Sequence, residues 1–591
     1  MSNYLELVKI INSRNLDAYI VPKNNMFLSS DLLPHEERLK FISNFSGSFG
    51  CAVITKNKND KSAIFSDGRY KLQIEKEVDE KLFIQFEGGI DKIINFFILK
   101  NNNFKNVGID PILISNYEFK FLKNNLMKHG IKLSKIFKNL IDIIWKNKPY
   151  IPPSNLKILP IKYSGESHEN KIFKLKKIIK ENEADAYLLY RPDCLSWLLN
   201  IRDNQLSYSP VVRGFSIIHK SGRVHLFTEN KINKNLFKLY KNIKLHEIKD
   251  LNEIFKKFSN QTFLIDVFAT PIKITDLLKF NKIKSKEIKC PIIEQKSRKN
   301  IIEQKLSKKT HIFDGLAFMR FWHWFENYKN LSNLNEEILS KKLYQFRTLS
   351  KYFVGNSFPT ISAFAKNGAI IHYRYKKTSS SKIYKDNLYL IDSGGQYLTG
   401  TTDITRTLIC GKPTEEMKLY YTKVLKGHLS ISDLTFPEGT KGRDIDVLAR
   451  VHLWRSFCDY NHGTGHGVGH YLNVHEGPIS ISKNNDSLFH DGMIVSNEPG
   501  FYKKNAFGIR IENLELVKKN KKSLKKENFL YFETLTMVPY EKKLISKKLL
   551  NNEEVLSINN YHKQIRKKLI NFISHNEKGL INFLIKKTAP L

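Results

Sequence analysis

Between residues 462 and 470 the chain reads His462-Gly463-Thr464-Gly465-His466-Gly467-Val468-Gly469-His470, histidines set among alternating glycines. Without a Cβ the backbone can approach closely, and the imidazoles can project toward one centre. Acidic residues stand at telling places on either side. Asp392 ends the apolar run Leu388-Tyr389-Leu390-Ile391, where a charge is costly unless it is paired or bound to metal. Asp403 follows eleven residues later in Thr401-Thr402-Asp403-Ile404-Thr405-Arg406. Two strands, Leu388–Asp392 and Thr402–Ile409, joined through the turn Ser393-Gly394-Gly395, would bring these carboxylates together. Alone the pair is ambiguous, because an aspartate at a strand end is often just a turn residue. Beyond the histidines come His475-Glu476-Gly477-Pro478, then Glu498 in the tight turn Asn497-Glu498-Pro499-Gly500, and Glu512 in the strand-like Arg510-Ile511-Glu512-Asn513. Two aspartates, one histidine and two glutamates form an oxygen-rich set with one nitrogen, which suits manganese, iron or cobalt better than a thiolate site would. Two divalent ions also explain how so many carboxylates stay ionised together, since without cations their repulsion raises their pKa values.

The rest of the chain, 591 residues in all, is too long for one core, and it separates into three regions. We place them at residues 1–152, 153–297 and 298–591, with the proline-rich bridge Lys146–Ser164 between the first two. Met1–Pro22 reads as a helix running into a strand. Ala18–Val21, Ala52–Thr55 and Ala63–Ser66 are strands, the last leading into the turn Asp67-Gly68-Arg69-Tyr70. The theme then recurs: a helix over Lys171–Asn182, a strand at Ala186–Tyr190, a short helix at Cys194–Asn200, and a strand pair, Phe215–His219 and Val224–Thr228, around Ser221-Gly222. Two related α/β domains are therefore expected. A long helical pattern runs from Ser297 to Phe325. The third region is mixed α and β; Met417, Tyr420, Tyr421, Val424 and Leu425 trace the stripe of a core-facing helix, and a second helix falls near Ile445–Trp454.

Composition excludes several classes. Hydrophobic residues make up 41% and charged residues 26%, as in globular proteins. No run approaches the ~18 apolar residues of a spanning helix, and the opening lacks the form of a signal peptide, so a cytoplasmic protein is expected. Cys51, Cys194, Cys290, Cys410 and Cys458 lie far apart, as suits reduced thiols. A formal charge of +39 raises nucleic acid as a partner. The lysines are spread throughout and no recognised nucleic-acid module accompanies them, so solvated faces explain them better. The densest run, Lys518–Lys526, falls between strand-like Leu514–Val517 and Phe529–Phe532 and reads as a hairpin loop.

The strings Asn367-Gly368-Ala369-Ile370-Ile371-His372-Tyr373, Ile391-Asp392-Ser393-Gly394, Gly400–Thr407, His462–Pro478, Glu498-Pro499-Gly500 and Gly508–Asn513 resemble those of the Xaa-Pro aminopeptidases, in their long, three-domain cytosolic form. Phe45-Ser46-Gly47-Ser48, Asp67-Gly68-Arg69-Tyr70 and Trp197–Arg202 extend the resemblance over nearly the whole chain. Asp203-Asn204 stands where the family has Gly-Ser. The resemblance implies two creatinase/prolidase-like N-terminal α/β domains and a C-terminal α+β pita-bread metallopeptidase domain with a C-terminal extension. It implies cleavage between an N-terminal residue and a following proline by a hydroxide shared between two ions. Manganese is the first expectation, with cobalt, iron and zinc as alternatives.

By the same resemblance Asp392, Asp403, His466, Glu498 and Glu512 are the metal ligands, Asp403 and Glu512 bridging. His372 is the proton shuttle, Glu498 accepts the water's proton, and His475 helps to stabilise the oxyanion. His462, Tyr502, Arg510 and Arg69 line the substrate pocket, while His470 and His428 take no catalytic role. Substrates are peptides with proline second, and the expected assembly is a homodimer without membrane contact. Prolidase is the nearest rival; its histidine motif differs from this one and it cleaves only dipeptides. Methionine aminopeptidase lacks the two large N-terminal domains. A non-catalytic pita-bread binding module would have lost ligands that are all present.

Overall fold

The computed structural model of the chain describes residues 2–57, 60–100, 104–229, 240–375, 380–520 and 528–591. Its contacts divide into two compact units. The first comprises Met1–Leu159, Glu166–Leu206 and Val211–Ile292; the second comprises Pro160–Gly165, Ser207–Pro210 and Ile293–Leu591.

In the first unit, β1 (Ala18–Pro22), β2 (Cys51–Thr55) and β3 (Ser62–Ser66) are buried along their whole length, as expected of strands covered on both faces. With β4 (Phe83–Glu87), β5 (Asn106–Ile109) and β6 (Lys132–Lys135) they form a sheet of order β4-β3-β2-β1-β5-β6. The pairs β1–β2 and β2–β3 are antiparallel, the others parallel. A second sheet follows from β7 (Ala186–Leu189), β8 (Gly214–His219), β9 (Val224–Thr228), β10 (Ile243–Glu247), β11 (Thr262–Ile265) and β12 (Lys284–Glu287). Its order is β10-β9-β8-β7-β11-β12, with the same alternation of antiparallel and parallel pairs. The expected duplication of an α/β theme is thus borne out strand for strand. The helix expected over Lys171–Asn182 runs from His168 to Glu181; Ser167 Oγ caps it by accepting the Asn170 N–H, and Ile172, Leu175 and Ile179 are buried.

The second unit opens with α1 (Ile301–Glu326). The sequence pattern suggested a helix continuous from Ser297, but a short helix ends there (Pro291–Ser297) and α1 starts afresh. Asn300 is the cause: its Oδ1 accepts the N–H groups of Ile302 and Glu303, a cap that begins a helix rather than continuing one. Strands β13 (Ile361–Phe364), β14 (Asn387–Ser393) and β15 (Ile404–Cys410) form one antiparallel sheet with β14 central. The second expected strand begins later than its apolar pattern suggested, and Thr402 and Asp403 lie just outside it. Nor is the glycine-rich connection a simple turn, since Gly395–Tyr397 and Gly400–Thr401 pair as a small hairpin of their own.

A six-stranded sheet combines β16 (Thr435–Pro437), β17 (Gly465–Gly467), β18 (Glu476–Ile481), β19 (Ile494–Asn497), β20 (Asn513–Lys519) and β21 (Phe529–Thr534) in the order β16-β21-β20-β19-β17-β18. Strands β20 and β21 pair antiparallel, as a hairpin requires. Residues 521–527 of the lysine-rich loop lie outside the described residues. Helices α2 (Glu415–Ser432) and α3 (Gly442–Trp454) pack on each other, and Gly427 lets them close, since a Cβ there would lie 2.2 Å from the Ala449 carbonyl. Helix α4 (Asn552–Leu569) buries Ile558, Ile565 and Leu569 in the same core as Phe321, Trp322 and Phe325 of α1. Among the described residues no helix is long and apolar enough to cross a membrane.

Candidate metal centre

Strand pairing brings the acidic residues together. Asp392, near the end of β14, is opposite Thr405 in the ladder with β15, two residues beyond Asp403. Glu512 lies between the Phe507–Arg510 strand and β20, and its N–H donates to the Thr405 carbonyl at 3.1 Å. Its Oε2 accepts the Thr405 hydroxyl at 2.8 Å. His466 sits in β17, where a Cβ on Gly465 would lie 1.9 Å from the Ser496 carbonyl, so only glycine permits that approach. Glu498 leaves β19 in the turn before Pro499, its N–H bound to the Thr464 carbonyl at 2.7 Å and its Oε1 accepting Ser496 Oγ at 3.0 Å.

Ligating atoms of Asp403, His466 and Glu512 lie within 4.8 Å of one another. His466 Nε2 is 3.5 Å from Asp403 Oδ2 and 3.4 Å from Glu498 Oε1. His466 Nδ1 donates to the Gly467 carbonyl at 3.0 Å, which turns Nε2 toward these carboxylates. Asp392 Oδ1 and Asp403 Oδ1 are buried and accept no hydrogen bond from the described residues. Burial, and next the charges of Asp392 and Glu498, push the Asp403 pKa well above the carboxylate range. Burial, and then Asp403, Glu498 and Asp392, do the same to Glu512. Glu498 is raised by burial as well, against the opposing pull of His466 and Arg510. Carboxylate oxygens gathered around an imidazole nitrogen, with acids that repel one another, fit divalent cations.

A polar relay leads away from the cluster. Arg510, fully buried, donates from Nη2 to Asp392 Oδ2 and from Nη1 to the Tyr502 hydroxyl, both at 2.6 Å. His462 Nδ1 donates to the Gly463 carbonyl, leaving Nε2 to accept the Tyr502 hydroxyl at 2.8 Å. The His475 ring is exposed and packs edge-on against His466 with centroids 4.3 Å apart. His372 is half-buried beside Ile371, whose carbonyl lies 3.5 Å from Arg510 Nη2. Ten of the eleven candidate residues therefore belong to the second unit. The eleventh, Arg69, belongs to the first, where its guanidinium meets Asp67 at 2.8 and 2.6 Å. His470 is buried between Ser307 Oγ and the Tyr163 carbonyl. His428, also buried, pairs with Asn497 beside Glu498 through main-chain and side-chain bonds.

Sequence reasoning missed the supports. Arg406, buried in β15, donates to the carbonyls of Glu512, Val538 and Pro539 and to Asn513 Oδ1, fixing the backbone beneath Glu512. Arg347 donates to both oxygens of Asp314 and to Ser393 Oγ, next to Asp392. An arginine inside an apolar strand was a signal for the first; nothing in the sequence marks the second. Asp203, at the departure from the family pattern, organises its own loop by accepting the N–H groups of Asn155, Asn204 and Gln205.

A profile described as metallopeptidase family M24 matches residues 305–519, and one for the C-terminal region of that peptidase matches residues 528–591. Two creatinase/prolidase N-terminal domain profiles match residues 5–140 and 147–303. Fold and profiles together define the class, a pita-bread metallopeptidase with two creatinase-type domains before it. A protein of Paracoccidioides brasiliensis named probable Xaa-Pro aminopeptidase P is 35% identical, covering 99% of this chain and 98% of its own length. One of the same name from Laccaria bicolor is 36% identical over 99% of this chain and 93% of its own. The crystal structure of X-prolyl aminopeptidase from Caenorhabditis elegans, described as a cytosolic enzyme with a di-nuclear active site, superposes with a TM-score of 0.92. It covers 100% of this chain and 99% of its own, at 28% identity. This chain belongs to the Xaa-Pro aminopeptidase P family of the M24 metallopeptidases.

Proposed function

We propose that the protein is a dinuclear metalloaminopeptidase that releases the N-terminal residue of peptides whose second residue is proline. The observation that carries the reading is the close approach of Asp403, His466 and Glu512, with Glu498 at 3.4 Å from His466, together with Oδ1 atoms of Asp392 and Asp403 that accept no hydrogen bond from the described residues. Likeness to the fungal and nematode enzymes over nearly the whole chain supports the choice of substrate.

In this reading Asp403 and Glu512 would be shared between two divalent ions, with Asp392 holding one and His466 and Glu498 the other. Such ions would supply an acidified water and Lewis-acid polarisation of the scissile carbonyl. Glu498 accepts the nucleophile's proton. His475, beside His466, donates toward the oxygen on which charge develops. His372 moves a proton to the leaving nitrogen. Arg510 fixes Asp392 through one nitrogen and Tyr502 through the other, and Tyr502 in turn holds the His462 ring at the pocket wall. An Xaa-Pro bond has a tertiary amide without an N–H, so proline is selected by ring packing rather than by a hydrogen bond to that nitrogen.

Manganese as the working metal, a homodimer in the cytosol, substrate contact by Arg69, and domain boundaries near residues 152 and 297 belong to the same proposal. The donor chemistry supports the first, and the cytosolic nematode relative supports the location. The decisive experiment compares turnover of tripeptides with proline second against Xaa-Pro dipeptides, with metal content measured on the same preparation. We expect tripeptide cleavage at two ions per chain. Dipeptides cleaved alone would replace this reading with prolidase, and a folded, metal-free, inert protein would sink it.

A further inference from the structure

Glu336 is the first residue of the helix Glu336–Arg347, and it is completely buried. Its Oε1 accepts the Phe364 N–H at 2.8 Å and Asn367 Nδ2 at 2.9 Å. Its Oε2 accepts the Tyr373 hydroxyl and the Ser381 N–H, both at 2.9 Å. Three of the donors, on Phe364, Asn367 and Tyr373, belong to the segment that leads from the end of β13 past His372; the fourth is on Ser381. Among the described residues no cation pairs with this carboxylate; four hydrogen bonds and a helix N-terminus accommodate it.

The same segment is gripped from the other side. Gly368 and Gly508 touch backbone to backbone, and a Cβ on Gly508 would fall 1.8 Å from the Gly368 carbonyl. That strand, Phe507–Arg510, carries the arginine that holds Asp392. His372 therefore lies on a loop held between the metal cluster's own support and Glu336, with Tyr373 tying the neighbouring residue directly to the carboxylate.

We infer that Glu336 is a positioning residue for His372: it sets the place of the imidazole against the metal cluster and acts on turnover through that ring alone. The inference rests on the catalytic reading of His372 proposed above. Glu336→Gln keeps the shape, but its amide turns N–H groups toward the Tyr373 hydroxyl and the Ser381 N–H. The hydroxyl can rotate to accept; the Ser381 N–H cannot, and the loop must shift.

The test is a double-mutant cycle with Glu336→Gln and His372→Ala, read by kcat and KM on a peptide with proline second and by metal content. Expected is a fall in kcat of roughly tenfold to a hundredfold in Glu336→Gln, with KM little changed and both ions retained. In the His372→Ala background the same substitution should change kcat by less than about twofold. An equal fall in both backgrounds would overturn the inference, because a purely structural defect multiplies with the loss of His372. So would a Glu336→Gln enzyme of unchanged kcat. Should Glu336→Gln fail to fold, Tyr373→Phe removes one donor and leaves three, and its smaller fall in kcat must vanish in His372→Ala in the same way. If His372→Ala turns over normally, both this inference and the role of His372 fall, while the peptidase reading stands on the wild-type assay.

Discussion

Two groups of buried carboxylates lie in the catalytic unit, and they are treated in opposite ways. Asp314 receives Arg347 at 2.8 and 3.3 Å and the Tyr397 hydroxyl at 2.8 Å. Glu336 receives four donors. Among the described residues Asp392 and Asp403, by contrast, each keep one buried oxygen with no donor, and Asp403 and Glu512 face other acids. Neither burial nor one donor-free oxygen marks a functional acid, since Glu515 Oε2 is also buried without a donor; several such acids facing one another do. The first group is complete within the protein, whereas the second is complete only with cations.

The largest effect that would test this contrast comes from Asp403→Ala. Removing the oxygen that faces both His466 and Glu512 should abolish stoichiometric metal binding and reduce peptide turnover to background, with the fold kept, since four mutually repelling acids become three. Metal analysis and circular dichroism check it. A variant that retained two ions would show that the donor-poor oxygens are not what the cations answer.

Arg347→Met probes the other side. It leaves Asp314 buried with only the Tyr397 hydroxyl, so a loss of about 3–5 kcal/mol in unfolding free energy is expected, with metal content unchanged. Adding Asp314→Leu should recover part of that loss, because an apolar pair of similar volume avoids an unpaired buried charge. Denaturant titration decides. If Arg347→Met lost metal while keeping its stability, the two groups of acids would have to be treated as one network.

The contrast also explains what the sequence made legible. Residues that act by their chemical type stand in short, unusual strings: glycine spacing and turn chemistry mark the strings that hold His466, Glu498 and Glu512, while the family resemblance picks these residues out as ligands. Strands buried on both faces announced themselves as apolar runs, so the repeated sheet order of the first unit was readable as a repeated theme. What escaped was set by distant partners. Glu336 opens an ordinary amphipathic helix, and Arg347 closes it; nothing local tells either from a solvated charge. The break before α1 escaped for a smaller reason, because Asn300 caps a helix inside a pattern that otherwise reads as continuous.

The smallest effect concerns protons. In the metal-free chain, burial and then neighbouring charge raise Asp403 and Glu512 above the ordinary carboxylate range. The folded state then holds protons that the unfolded chain has released, so these groups stabilise the metal-free fold at low pH. That stability declines as pH climbs from about 4, the usual carboxylate value, through the raised values. Cations need the ionised forms, and binding must expel the same protons. Apparent metal affinity should therefore rise about tenfold per pH unit for each proton expelled, over that same window, and level off above it. Calorimetric titration in two buffers of different ionisation enthalpy measures the protons released. Asp314 and Glu336 provide the internal control, since neither faces the cluster and neither should contribute. Metal binding that released no protons between about pH 5 and 7 would mean that the cluster stays ionised without cations, and the contrast between the two groups of acids would fail.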